Sequence, residues 1–564
     1  MGLPGFVSWL RKEYGDRMIV KSVSDHHIKT LYIDANCLIH PKCFEVVDAN
    51  PRGDIEIVMF RRICRFIDYL IEYVQPDSWF VAVDGSAPRT KLKQQRDRRY
   101  KSVTDTEMIN TLKRKHGQQV TARWSNTVIT PGTVFMERLH QYLLRHFATY
   151  TKPGIYSSYH TAGEGEHKIL EHIRKTASDE PCVIYGLDAD LFFLAMASMR
   201  PNIYLLREEQ HFTAGRVFKR EITDIVNDVA EDMRFVSIDT VKECYDETIE
   251  RILHNRGYVD RIRGDYWIDF IFICYFLGND FLPHIPTIDI HKSGLDIIID
   301  CYIDVLTRLS CRFVDDTLRI NNVFLIHFLR ELSGYETVYF KRIVPEHRKK
   351  LERRTCTSTN AYEIELFELQ NMRFPVWDPV QLGVGTTPEW KSRYYSYYFG
   401  VNEHAIVLID QMCQSYLEGL VWVSRYYFDK CPSWSWQYPF THAPFISDIY
   451  AYLEKSAIDV NTVSFDVDTP LVPCVQLMCV LPPSCADQLA TAYQALIRDK
   501  KSPVGDMFPE KCAVDMIGKD MHWMCVPILP YLDIERINTA ICDLRLSESE
   551  VIRNSELNEF IFGK

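Results

Sequence analysis

Nowhere in the 564 residues do about 18 apolar residues follow one another, so no membrane-spanning helix is expected. Cys-x-x-Cys pairs are missing as well. The 17 cysteines are scattered, and clusters such as Cys474, Cys479 and Cys485 fit no zinc pattern, so buried thiols of a reducing compartment are expected. Positive charge is not in excess: 65 Lys and Arg against 76 Asp and Glu leave a net charge of −11. That balance excludes a protein that coats nucleic acid non-specifically, but not one that grips it in a local basic channel. The opening residues Met1 to Phe6 have neither the basic region nor the apolar core of a secretory leader, and Phe6 stands where a myristoylation signal wants Ser or Thr. Internal repeats and low-complexity tracts are lacking too.

What is present is an ordinary globular composition, 46% hydrophobic and 25% charged, with length enough for a large catalytic core and attachments. Residues 28 to 290 alternate strand-like and helical runs. Strands are expected at Thr30–Asp34, Ser78–Asp84, Ile155–Tyr159 and Cys182–Leu187, and helices at Ile55–Val74 and Val134–Phe147, the latter after the turn Thr130-Pro131-Gly132-Thr133. Such alternation implies an α/β fold with a largely parallel central sheet flanked by helices. Around 340 to 380 the chain turns polar and basic, which suits a linker or exposed helical arm; from about 388 it is rich in aromatics. Three parts are expected: a nuclease-like core over 1–295, a helical connector over 296–385, and a mostly helical second region over 386–564 packed on the core.

Five acidic motifs carry the chemistry: Leu31-Tyr32-Ile33-Asp34, Val81-Ala82-Val83-Asp84, Gly163-Glu164-Gly165-Glu166, Gly186-Leu187-Asp188-Ala189-Asp190 and Leu277-Gly278-Asn279-Asp280. Each has a plain structural explanation. Thr161 to Glu164 fits a capping box, Asp190 could cap a helix starting at Leu191, and Asp280 could be a turn residue before Pro283. Together, however, Asp34, Asp84, Glu164, Glu166, Asp188, Asp190 and Asp280 fall at the edges of one sheet, where unscreened carboxylates would raise one another's pKa values. Hard oxygen donors without a His/Cys set favour two Mg²⁺ ions, with Mn²⁺ as a substitute, and hence hydrolysis of a phosphodiester.

Directly after Asp84, residues 89 to 101 hold seven cations (Arg89, Lys91, Lys93, Arg96, Arg98, Arg99, Lys101) against the single acid Asp97. A run of this kind is usually a solvated face. Here Lys91, Gln95, Arg98 and Arg99 lie at i, i+4, i+7 and i+8 and share a helix face, a suitable pocket for a terminal phosphate.

These words, in this order, resemble the XRN-type 5′-to-3′ exoribonucleases. The resemblance rests on Asp84-Gly85-Ser86-Ala87-Pro88-Arg89-Thr90-Lys91, Gln94 to Arg99, Ile129 to Thr133, Gly163 to Lys168, Gly186 to Leu191 and Leu277 to Pro283. It extends to the second half through Gly419-Leu420-Val421-Trp422-Val423, Ser433-Trp434-Ser435-Trp436-Gln437-Tyr438-Pro439-Phe440 and Ala443 to Asp448, then weakly over 506 to 528. The chain resembles a compact member without the small β-domains and long tail of the large cytoplasmic ones.

The resemblance implies a core of the PIN or flap-nuclease type. It also implies processive 5′-to-3′ digestion of 5′-monophosphorylated single-stranded RNA to nucleoside 5′-monophosphates by two-metal hydrolysis. The seven acids match the family's metal positions, and Lys91, Gln95, Arg98 and Arg99 its 5′-phosphate pocket. His40 matches a residue that stacks on the first bases, and Trp434 or Trp436 the opposing stack. The competing reading is a structure-specific 5′ DNA nuclease of the flap endonuclease type; an inactive RNA-binding scaffold is disfavoured because all seven acids are present. A monomer in the cytoplasm is preferred, Arg348-Lys349-Lys350 being only suggestive of nuclear import, and a decapping partner is conceivable but not written in the residues.

Overall fold

A computed structural model describes residues 5–23, 26–51, 53–120, 124–209, 224–229, 231–258, 265–401 and 405–563. Its centre is an eight-stranded sheet. In chain order the strands are β1 (Ile19–Val20), β2 (Thr30–Asp34), β3 (Ser78–Ala82), β4 (Gly154–Ser157), β5 (Cys182–Tyr185), β6 (Ile203–Glu208) and β7 (Met233–Ser237), with a small separate ribbon of β8 (Ala513–Asp515) and β9 (Val526–Ile528) before β10 (Phe560–Phe562). The spatial order is β1-β7-β6-β5-β2-β3-β4-β10. The five strands from β6 to β4 run parallel, and the antiparallel pairings are confined to the edges.

The four expected strands are all present, each ending within two residues of its expected limit. Thr30 pairs with Ser78 and Asp34 with Ala82, so β2 lies at the middle of the sheet with the end of β3 beside its terminal aspartate. The strands β6 and β7 and the edge strands β1 and β10 went unexpected. β10 comes from the far end of the chain, pairing Phe560 with Tyr156, so the last residues of the second region complete the sheet of the first.

Side-chain alternation along the strands builds two cores. Leu31, Ile33, Val81 and Val183 point to one face, and Tyr32, Phe80, Ala82 and Ile184 to the other, as the two-residue period demands. On the first face lie α2 (Asn36–Ala49), α3 (Ile55–Val74) and α5 (Val134–Phe147). α3 begins where Asp54 accepts from the amides of Glu56 and Ile57, and it buries Met59, Phe60, Ile63, Phe66, Ile67 and Leu70 at helical spacing. On the second face lie α1 (Phe6–Tyr14), α6 (Gly165–Thr176), α7 (Asp190–Ala197), α8 (Ile238–Asn255) and α9 (Tyr266–Cys274), continuous with the helix Ile406–Phe428 of the aromatic-rich region. The helix Arg89–Lys115, labelled α4, anchors through Leu92 in a third cluster with Val475, Met478 and Tyr493.

The basic stretch after 340 is helical at Val344–Glu352 and Ala361–Gln370, and neither helix contains a fully buried residue. Among the described residues no helix is long and apolar enough to cross a membrane.

Candidate active site

The acids gather at the carboxyl end of the parallel strands, the usual place for chemistry in an open α/β sheet. Asp34 is the last residue of β2 and Asp84 follows β3 by two residues. Glu164 and Glu166 flank the first residue of α6, Asp188 lies in the turn after β5, Asp190 opens α7, and Asp280 follows α9. Asp34, Glu164 and Asp190 are buried, whereas Asp188 is exposed and marks the mouth of the site.

None of the plain structural roles forms. Glu164 sits at the N-cap of α6 without a capping bond, and the Thr161 hydroxyl donates to Leu557 O. Asp190 caps nothing, the N-cap being Ala189. Asn279, not Asp280, makes the turn, accepting from the amides of Phe281 and Leu282 at 2.9 Å each.

The carboxylates are instead fixed by neighbours. Asn36 Nδ2 donates to Asp84 Oδ2 at 2.8 Å and the Gly165 amide to Asp84 Oδ1 at 2.7 Å. A side chain at Gly165 would put its Cβ 2.7 Å from Asp34 Oδ1, so glycine is what allows α6 to approach the two aspartates. The Cys37 thiol donates to Asp34 Oδ2 at 2.9 Å and accepts from the Leu187 amide at 3.3 Å, tying β2 to the loop of Asp188. The same loop is held by Arg207, which donates to the carbonyls of Leu187 and Asp188. Tyr426, from the helix Ile406–Phe428, donates to Glu164 Oε2 at 3.0 Å while its ring lies between His167 and Trp422. Lys168 Nζ donates to Val83 O and Ser158 O at 2.7 and 2.9 Å, and burial holds its pKa down to about 7 against the pull of Asp84.

The electrostatics are those of a site short of positive charge. Burial, then the charge of Asp84, drives the Asp34 pKa well up. Burial and Glu164 lift Asp84 to about 6 and raise Glu166 strongly, and burial with Asp280 lifts Asp190 to about 7. Asp280 goes the other way: burial would raise it, but the charge and hydrogen bond of Lys91, together with further positive charge and hydrogen bonding nearby, hold it far below the usual carboxylate range. Lys91 Nζ is 2.7 Å from Asp280 Oδ2 and 2.6 Å from Glu164 Oε1. Among the described residues no three His, Cys, Asp or Glu side chains already form a cage at ligand distance. The donor set nevertheless fits a hard divalent cation. It consists of carboxylate oxygens, Asp34 Oδ1 is buried with no hydrogen-bond partner among the described residues, and burial with mutual repulsion raises Asp34, Asp84, Glu166 and Asp190.

α4 brings the basic face alongside. Arg99 donates through Nε and Nη2 to the buried Thr130 hydroxyl at 3.2 and 2.8 Å, and through Nη1 to Gln95 O at 3.0 Å. Arg98 is exposed, and Gln95 meets Gln476 Nε2 at 3.5 Å. Burial followed by the charges of Arg98 and Arg99 pushes the His40 pKa down to about 4, with Asp188 opposing. Lys91 is the member of the predicted pocket whose ammonium is directed into the acid cluster. Arg96 points elsewhere, into the carbonyls of Pro530 and Met507. Trp436 stacks on Trp422 with ring centroids 5.8 Å apart and meets Phe465 edge-on, whereas Trp434 makes no ring contact among the described residues.

The family models decide the affiliation. The XRN 5′-3′ exonuclease N-terminus model matches residues 1–209, and the Xrn1 helical domain model matches 265–376 and 368–564. The chain belongs to the XRN family. Human 5′-3′ exoribonuclease 1 is similar to this XRN chain at 28% identity over 98% of it, but only 35% of the human protein is covered. 5′-3′ exoribonuclease 2 of Debaryomyces hansenii and of Arabidopsis thaliana are each 26% identical over 100% of it, with 72% and 69% of their own lengths covered. This XRN chain thus spans about a third of the human relative. A solved structure, the catalytic core of Rad2 in complex with DNA substrate, aligns at a TM-score of 0.29 and 13% identity over 82% of this chain and 97% of its own, too distant to bear on the argument.

Asn36, Cys37, Thr130, Arg207 and Tyr426 were not singled out from sequence as parts of the site. Asn36 and Cys37 carried a signal, since they follow Asp34 directly. Arg207 and Tyr426 carried none, because their partners are remote in the chain.

Proposed function

We propose that the chain is a divalent-metal-dependent 5′-to-3′ exoribonuclease acting on single-stranded RNA with a 5′-monophosphate. The observation that carries this reading is the ion pairing of Lys91 Nζ with Glu164 Oε1 at 2.6 Å and Asp280 Oδ2 at 2.7 Å, which sets the basic face of α4 against the carboxylates gathered at the strand ends. Its position inside the XRN family supports RNA over the flap-type DNA alternative.

The seven acids Asp34, Asp84, Glu164, Glu166, Asp188, Asp190 and Asp280 would hold Mg²⁺ or Mn²⁺. When bound, the metal supplies an activated water and charge stabilisation at the leaving 3′ oxygen. The protein's own groups set the rest. Arg98, Arg99 and Gln95 receive the terminal phosphate, with Thr130 keeping the Arg99 fork in one orientation. Lys91 neutralises Glu164 and Asp280. Tyr426 and Asn36 aim Glu164 and Asp84 inward, and Gly165 closes the gap between strands and helix. His40 and Trp434 offer faces for bases, a sequence-tolerant grip worth about 1–3 kcal/mol per base. A pocket built for one terminal phosphate leaves no place for a cap.

The test is degradation of 5′-phosphate, 5′-hydroxyl and capped RNAs, and of a 5′-phosphorylated DNA strand, each with and without Mg²⁺. Metal-dependent loss of the 5′-phosphate RNA alone supports the assignment, and equal cutting of DNA would support the flap-type alternative.

A further inference from the structure

The segment Ser433 to Gln437 bears Trp434 yet has no regular secondary structure of its own. One carboxylate organises it. Asp468, in a stretch without regular secondary structure more than thirty residues further on, accepts from Ser433 Oγ at 2.9 Å, from the Trp434 amide at 2.5 Å, from the Ser435 amide at 2.9 Å and from the Ser435 hydroxyl. The other edge of the segment is held through its carbonyls. Trp422 Nε1 donates to Ser433 O at 3.0 Å, and the amide of Arg89, the first residue of α4, donates to Trp434 O at 2.8 Å. The amides of Trp434 and Ser435 thus converge on Asp468, the Trp434 carbonyl is held by the first residue of the helix that carries the phosphate-binding face, and the Ser433 carbonyl by the helix Ile406–Phe428.

A loop without a ladder of its own orders only if its polar groups find fixed partners. Asp468 provides them: two hydroxyls and two backbone amides surround its carboxylate, and these donors hold its pKa low although partial burial works against them. The Trp434 ring, meanwhile, lacks the stack that immobilises Trp436. Its orientation is therefore set through its backbone.

We infer that Asp468 is a positioning residue for RNA binding, which fixes the backbone of Trp434 beside the start of α4 so that the indole is presented to a base of the incoming strand. Asp468 itself touches no substrate. The inference rests on the reading of Trp434 as a stacking residue.

The full chain is compared with Trp434→Ala, Asp468→Asn, Asp468→Ala and the double Asp468→Ala/Trp434→Ala variant. Affinity for a 5′-phosphorylated single-stranded RNA is read by fluorescence anisotropy in chelator, and kcat and KM are read in Mg²⁺. Asp468→Ala should weaken binding and raise KM roughly tenfold, within the range of one lost base stack, with kcat within about twofold. Asp468→Asn, which keeps an acceptor oxygen, should fall between, and it remains informative if the alanine variant does not fold. The double variant should bind no more weakly than Trp434→Ala, because both changes remove one interaction. Additive losses, or Asp468 variants that bind like the parent while Trp434→Ala does not, would overturn the positioning role alone. Unchanged binding by Trp434→Ala would remove the stacking reading and this inference with it.

Discussion

Lys91 Nζ lies 2.7 Å from Asp280 Oδ2, and the same ammonium reaches Glu164. A buried cation therefore already occupies part of a site whose remaining acids repel one another. Lys91→Met should remove the one cation that Glu164 and Asp280 share and cost about 3–5 kcal/mol of stability in chelator. Because metal then becomes the main source of neutralisation, Mg²⁺ should raise the melting temperature of this variant more than that of the parent. Thermal unfolding with and without Mg²⁺ checks this; equal metal shifts would refute it.

Tyr426→Phe separates aiming from packing. The ring keeps its place between His167 and Trp422, but the bond to Glu164 is lost. One missing hydrogen bond to a charged group is worth about 1.5–3 kcal/mol, so kcat should fall roughly tenfold or more. Affinity for RNA in chelator should not change. A variant that keeps full kcat would show that Glu164 does not depend on this hydroxyl.

Arg98→Ala combined with Arg99→Ala should abolish the preference for 5′-phosphate over 5′-hydroxyl ends. Arg99→Lys should already lose much of it, since an ammonium cannot reproduce the fork on Thr130. Competition between the two RNAs in one tube reads the ratio directly. An unchanged ratio would place the end-reading pocket elsewhere.

Away from the site, Glu137 gives a pH prediction. Burial raises its pKa, but bonds from His160, Tyr159 and Gln141 outweigh this and bring it to about 2. A folded pKa below the unfolded value means stabilisation that is complete above the unfolded pKa and lost as pH falls toward 2. Taking account of its partial contact with solvent, the contribution is about 2 kcal/mol. Glu137→Gln should lower stability near neutral pH and flatten the stability profile below about pH 4.5. Urea unfolding of both proteins from pH 7 to 3 measures the difference, and parallel profiles would contradict it.

The strands Thr30–Asp34 and Cys182–Tyr185 and the helix Ile55–Val74 were legible because their periodicities are local. So were the acids, which come where apolar runs stop. β10 was not legible: three residues at Phe560–Phe562 carry no pattern until β4 is there to receive them. The same reason hid Tyr426, whose partner Glu164 lies in another part of the chain, and Thr130, whose role exists only once α4 brings Arg99 to it. The charge run after Asp84 was read as one face, yet burial sorts it: Arg96 turns into the carbonyls of the second region, and Lys91 turns into the acids. Which tryptophan is free to stack likewise depends on the packing of Trp436 against Trp422, a contact no spacing encodes.

The central claim is that the clustered acids cut, with metal, at an end chosen by the α4 cations. Its most direct test is product analysis of a 5′-phosphorylated RNA incubated with the parent chain, Asp188→Ala and Asp190→Ala, in Mg²⁺ and in chelator. Nucleoside 5′-monophosphates should accumulate only with the parent chain in Mg²⁺, while all three proteins still bind the RNA. Continued release in chelator, or undiminished turnover by either variant, would contradict the account.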